Sequence, residues 1–153
     1  TTAFDLSLLA RYAMNIEKFR EIVAKTEFTL PGTTIHPEAD RSFHTSNFLL
    51  NPDEKNYYFP STTGIKTGFT DSAGDCLVAS AKKDDIEFIA VCLNGKTLNN
   101  GVREKFLDCK TLFDFAFDNY TIHYKDLQAK KHELENKKAG PETSLFSQEN
   151  LRH

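Results

Sequence analysis

The sequence predicts an α/β (α+β) fold, an antiparallel sheet flanked by helices, on three observations. Residues 76–81 (Cys-Leu-Val-Ala-Ser-Ala) and 86–93 (Ile-Glu-Phe-Ile-Ala-Val-Cys-Leu) are two apolar runs joined by the polar turn Lys82-Lys83-Asp84-Asp85, which reads as an antiparallel hairpin. Both runs are nearly continuously apolar, the pattern of strands covered on both faces. Val102, Phe106, Cys109, Phe113, Ala116, Phe117 and Tyr120 then recur at steps of three and four, the stripe of a helix that covers such a sheet.

The other elements follow in chain order. Thr2 with Asp5 three residues later is a capping-box-like start, so a helix begins there. Its apolar residues Phe4, Leu8, Leu9, Tyr12, Ala13 and Ile16 fall near one face, expected to be buried. A second short helix over residues 17–25 places Phe19, Ile22 and Val23 inward. Pro31-Gly32 breaks the pattern, and residues 33–60, rich in Pro, Asn, Asp and Ser, read as loop with brief strands. Residues 125–135 hold helix formers but only Leu127, Ala129 and Leu134 to bury. The expected division is therefore 1–124 as the folded part and 125–153 as a polar tail or linker.

The 153 residues carry a formal net charge of −3, which argues against nucleic acid or an anionic membrane as the main partner. No apolar run approaches the ~20 residues of a membrane-spanning helix. Thr1-Thr2-Ala3 is neither an initiator Met nor a signal peptide, so the chain is expected to begin inside a longer one. Cys76, Cys92 and Cys109 are odd in number and widely spaced. The spacing favours buried thiols over a Cys76–Cys92 disulfide or a metal site, and no cofactor or metal is implied. His36, His44, His123, His132 and His153 share no motif and read as loop or surface residues.

The informative stretch is Thr63-Gly64-Ile65-Lys66-Thr67-Gly68-Phe69-Thr70-Asp71-Ser72-Ala73-Gly74, immediately before the first apolar strand. Lys-Thr-Gly alone is weak, since Lys-Thr occurs four times in the chain. Its setting carries more: glycines bracket a short Ile-Lys-Thr strand, and small residues beside a sheet edge let another backbone approach closely. The flanking Asp71 and Asp75 read as solvated turn and strand-start residues.

These residues resemble the serine D-alanyl-D-alanine carboxypeptidases, the low-molecular-mass penicillin-binding proteins, which share Lys-Thr-Gly with serine β-lactamases. Residues 2–6 with Leu8-Leu9-Ala10-Arg11 look like the family's helix after its second motif. Thr45-Ser46-Asn47 with Leu49-Leu50, Tyr57-Tyr58-Phe59-Pro60, Gly64-Ile65-Lys66-Thr67-Gly68-Phe69-Thr70 and Ala73-Gly74-Asp75-Cys76-Leu77-Val78-Ala79-Ser80-Ala81 follow in the family's order, over residues 1–120. The resemblance implies a serine-type hydrolase of peptidoglycan stem peptides ending in D-Ala-D-Ala, working through an acyl-enzyme outside the cytoplasmic membrane and inhibited by β-lactams. It implies that Lys66 and Thr67 hold the substrate's terminal carboxylate and that Gly68 leaves the strand free for substrate pairing. It also implies that the Phe69 backbone N–H is one oxyanion-hole donor.

Two further family motifs, Ser-x-x-Lys with the nucleophile and a Ser-x-Asn-like triplet, are not present in a credible setting. Ser80-Ala81-Lys82-Lys83 has the first spacing but ends a strand, where positions three apart point to opposite faces. Thr45-Ser46-Asn47 resembles the second only superficially. The chain is thus expected to be the C-terminal part of the catalytic domain, an incomplete fold whose partner is the missing N-terminal half, and inactive alone. The alternative is an inactive module of the same fold that binds peptidoglycan peptides or a protein; a β-lactamase relative is a third, weaker reading.

Overall fold

The computed structural model describes residues 1–37 and 41–138. Expectations for the tail beyond Lys138, and for His153, lie outside the described residues. The chain divides into two units, residues 1–117 and 118–153.

The first unit is built on a three-stranded antiparallel sheet, β3 (Thr62–Thr70), β4 (Gly74–Lys83) and β5 (Ile86–Gly95), in the order β3-β4-β5. The hairpin read from the two apolar runs is β4–β5, paired from Lys83↔Ile86 to Asp75↔Gly95 with Asp84 at φ 53° in the turn. Strand β3 pairs β4 from Thr62↔Ala81 to Thr70↔Gly74, so β4 is central and the Lys-Thr-Gly segment lies on a sheet edge.

Both sheet faces are covered, as continuous apolar strands require. On one face Leu77, Ala79, Ala81 and Ala90 meet Phe106, Cys109, Phe113 and Phe117 of α3 (Glu104–Lys138), closed at the side by Leu49, Tyr57 and Phe59. Rings stack or tilt together there, with centroids 5.1 Å apart for Tyr57–Phe106 and 5.6 Å for Phe59–Phe113. On the other face Ala10 and Met14 of α1 (Ala3–Ala13) and its C-cap pack on Ile65, with Phe19, Val23, Val78 and Ile89 around them. The short α2 (Glu17–Val23) comes so close to β3 that a Cβ at Gly64 would stand 2.7 Å from Val23 Cγ2, which only glycine avoids. Arg20 of α2 makes a bidentate pair with Glu87 of β5, at 2.9 and 2.5 Å, and Glu87 also accepts from Thr63 Oγ1.

Thr2 caps α1 as its sequence requires: its Oγ1 accepts the Asp5 N–H at 3.1 Å and its own N–H donates to the Asp5 carboxylate. The predicted buried stripe of α1 is corrected, however. Phe4, Leu8, Leu9, Tyr12 and Ile16 are exposed, and the small Ala10 and the C-cap Met14 face the sheet. Ile22 is also exposed, whereas Phe19 and Val23 pack inward. The brief strands read in 33–60 correspond to an antiparallel pair, β1 (Glu27–Thr29) and β2 (Ser42–His44). The terminal helix starts near the predicted point but runs on to Lys138. In the second unit it carries the intrahelical ion pairs Lys131–Glu135 and Lys137–Glu133.

Candidate functional site

Lys66, Thr67, Gly68 and Phe69 lie consecutively on β3, with Lys66, Gly68 and Phe69 exposed and Thr67 half-buried. Lys66 Nζ donates to the Thr67 carbonyl at 2.8 Å, which holds the ammonium over the strand edge. Thr67 Oγ1 shares a 2.5 Å hydrogen bond with Ser46 Oγ.

These residues form one wall of an open cavity of about 480 Å³, lined also by Ser46, Asp75, Thr97, Arg103 and Lys105. The four residues of the sequence reading are thus joined by five that it did not place in a site. Arg103 comes from the turn before α3. Its backbone N–H donates to the buried Tyr57 hydroxyl at 3.0 Å, and its guanidinium lies 4.9 Å from the centroid of the Phe48 ring. Thr97 and Arg103 form an isolated antiparallel bridge that closes this loop.

Asp75 is not the solvated strand-start residue expected. Its Oδ1 accepts from Lys105 Nζ at 2.6 Å and its Oδ2 from Thr97 Oγ1 at 2.7 Å. The Lys105 bond and then the Thr97 bond hold its carboxyl below the usual range. Asp71, by contrast, is exposed in the β3–β4 turn as read.

Ser80, the serine of the Ser-x-x-Lys spacing, is fully buried on β4 and bonded to Thr63 Oγ1 at 2.8 Å, so it faces no cavity. The three cysteines are free thiols: Cys109 is buried, Cys76 and Cys92 half-buried. Among the described residues no group of three metal-ligating side chains comes together. His36, His44, His123 and His132 are exposed.

A second cavity of about 660 Å³ adjoins the first, with Ser46 and Lys66 in both walls. Ile22, Val23, Phe28, Phe43 and Ile65 make it largely apolar.

An antiparallel sheet between two helical layers, with a cationic edge strand beside an open cavity, is the fold of the DD-peptidases. The chain superposes on a Streptomyces DD-transpeptidase with a TM-score of 0.59 and 24% identity, over 74% of this chain and 41% of that one. It superposes on a Streptococcus pneumoniae peptidoglycan synthesis regulatory factor (PBP3) with a TM-score of 0.61 and 25% identity, over 75% and 29%. A cefotaxime-bound penicillin-binding protein of Listeria monocytogenes gives 0.53 and 24%, over 72% and 38%. In sequence the chain is 29% identical over 123 residues to the Bacillus subtilis D-alanyl-D-alanine carboxypeptidase DacF, covering 80% of this chain and 28% of that protein. The profile of the D-alanyl-D-alanine carboxypeptidase family matches residues 1–97, and the chain belongs to that family. It spans between about a quarter and two fifths of the length of these relatives.

Proposed function

We propose that this chain supplies the carboxylate-binding strand of a serine-type D-Ala-D-Ala carboxypeptidase that acts outside the cytoplasmic membrane on peptidoglycan stem peptides. The observation that carries this reading is the convergence of Lys66, Thr67 and Arg103 on one cavity beside an exposed strand edge. The Lys66 ammonium and Arg103 guanidinium hold the terminal carboxylate of the substrate, and the Thr67 hydroxyl donates to it. The substrate backbone adds to β3 as a further strand, which the missing side chain at Gly68 leaves room for. The Phe69 N–H serves as one oxyanion donor for an acyl-enzyme formed on a serine outside this chain's 153 residues. β-Lactams carry a carboxylate beside an acylating carbonyl and occupy the same positions; the Listeria relative is bound to cefotaxime.

Titration of the chain with N-acetyl-D-Ala-D-Ala, followed by amide NMR, tests the site. The Thr67–Phe69 signals are expected to move, and Lys66→Ala is expected to weaken binding about tenfold or more, the scale of a lost charge-assisted hydrogen bond. Equal affinity in Lys66→Ala would remove the role given to Lys66.

The burial of Ser80 favours a second reading, a binding module of the same fold that takes the peptide without cleaving it. A labelled penicillin applied to the parent protein separates the two. Covalent label supports the enzyme, and reversible peptide binding without label supports the module. Among the described residues no helix is long and apolar enough to cross a membrane.

A further inference from the structure

The cavity of about 480 Å³ is lined by three cations, Lys66, Arg103 and Lys105, and by one carboxylate, Asp75. Lys105 is the second residue of α3, where the helix dipole disfavours positive charge, and its side chain is only 4% exposed. Its ammonium reaches the cavity wall and pairs there with Asp75 at 2.6 Å. Thr97 takes the other Asp75 oxygen at 2.7 Å, so both carboxylate oxygens are engaged within the protein. Asp75 also stands opposite Phe69 in the β3–β4 register, which puts this pair beside the strand segment that carries Lys66.

Accepting the reading of the cavity as a carboxylate site, we propose that Asp75, through its pair with Lys105, is a specificity-determining residue that fits the cavity to singly charged carboxylates and against doubly charged anions. Three cations against one carboxylate leave a net charge of about +2 around the ligand, where the three alone would give about +3. The energy of a ligand in that field scales with the ligand's own charge. Whatever factor Asp75 takes from the affinity of a monoanion, it takes twice over, as a square, from the affinity of a dianion. The pair therefore narrows the cavity's choice without touching the ligand, leaving Lys66 and Arg103 as the groups that bind it.

The test is a charge series. Dissociation constants for N-acetyl-D-Ala-D-Ala and for inorganic sulfate are measured at low salt and about pH 6 on the wild-type chain, Asp75→Asn, Lys105→Met and the double variant. Asp75→Asn is expected to tighten the peptide about threefold and sulfate about tenfold, the scale of one unit charge several ångströms away in a wet cavity. Lys105→Met is expected to weaken both in the same two-to-one logarithmic ratio. The double variant, with the net charge restored, is expected to return to wild-type values, and high salt to compress all differences. Amide NMR spectra of each variant report whether the fold persists, and if one single variant unfolds the other still reads the charge scaling against wild type and the double variant.

A purely structural role predicts that both single variants weaken both ligands by similar factors, which would overturn the proposal. If the wild-type chain binds neither ligand, the carboxylate-site reading fails and this proposal with it. If wild type binds the peptide but the variants show no charge-scaled change, this proposal alone fails.

Discussion

Ser46 Oγ and Thr67 Oγ1 lie 2.5 Å apart, a hydroxyl pair that joins the segment after β2 to the exposed edge of β3 across 21 positions of sequence. Each hydroxyl has one proton to give. With Ser46 as the donor, the Thr67 proton is left for the carboxylate proposed to bind there, and Ser46 would orient that donor.

Ser46→Ala frees the Thr67 hydroxyl to rotate. Carboxylate affinity is expected to fall about threefold to tenfold, the net worth of one hydrogen bond of about 0.5–1.5 kcal/mol. Ser46 is exposed, so unfolding by urea is expected to shift little. Paired titration and unfolding curves check this, and a large loss of stability with unchanged binding would contradict it.

Stability is expected to fall in acid. Arg20 and Thr63 hold the Glu87 carboxyl below its ordinary 4.5 even though burial, the largest single influence, pushes it up; Lys105 and Thr97 hold Asp75 below 3.8. Because both folded values are depressed, the unfolded chain takes up these protons first. The stabilisation is fully present above the ordinary values and disappears as the pH falls through the folded ones. Urea midpoints measured between about pH 6 and pH 2 should drop over that window, and Glu87→Gln should flatten the drop. A midpoint independent of pH would refute the assignment.

Thiol chemistry gives a third check. Burial, with smaller influences from Cys92 and Asp108, pushes Cys109 up to about 12; burial and the Asp108 carboxylate, 3.6 Å from the sulfur, push Cys92 up to about 11. Since the thiolate is the reactive form, iodoacetamide at about pH 8 should leave both unmodified in the native chain and label them in denaturant. Intact-mass measurement of rapid native labelling at Cys109 would show the core around Phe106 and Phe113 to be open.

The parts of the fold that were legible in the sequence are local ones. The Thr2–Asp5 box specifies the start of α1 within a single turn, and the two apolar runs with their charged turn specify β4 and β5. The Lys-Thr-Gly segment was legible because its glycines and the following apolar strand lie beside it in the chain. Arg103 was not, because its place depends on the Tyr57 hydroxyl, 46 positions earlier. Asp75 looked like a solvated turn residue because Lys105 is 30 positions away and nothing local announces the pair. The inward side of α1 was misread for a different reason. Large residues dominate a periodicity count, yet the helix approaches the sheet on its small side, Ala10, with Met14 filling the gap. The extension of α3 to Lys138 rests on helix formers and on lysine–glutamate pairs one turn apart, with little apolar signal to reveal it.

The position of β3 at the sheet edge also bears on how the chain behaves in a crowded solution. An open strand edge offers its peptide groups to any passing extended chain, and the segment from Ile65 to Phe69 would be an attractive template. The exposed Lys66 places a charge at the middle of that edge, where a second copy of the strand would have to bury or repel it. Under the proposed function, one ammonium would both receive an anionic peptide end and keep identical strands from stacking into aggregates. Losing it would carry a solubility defect alongside the binding defect.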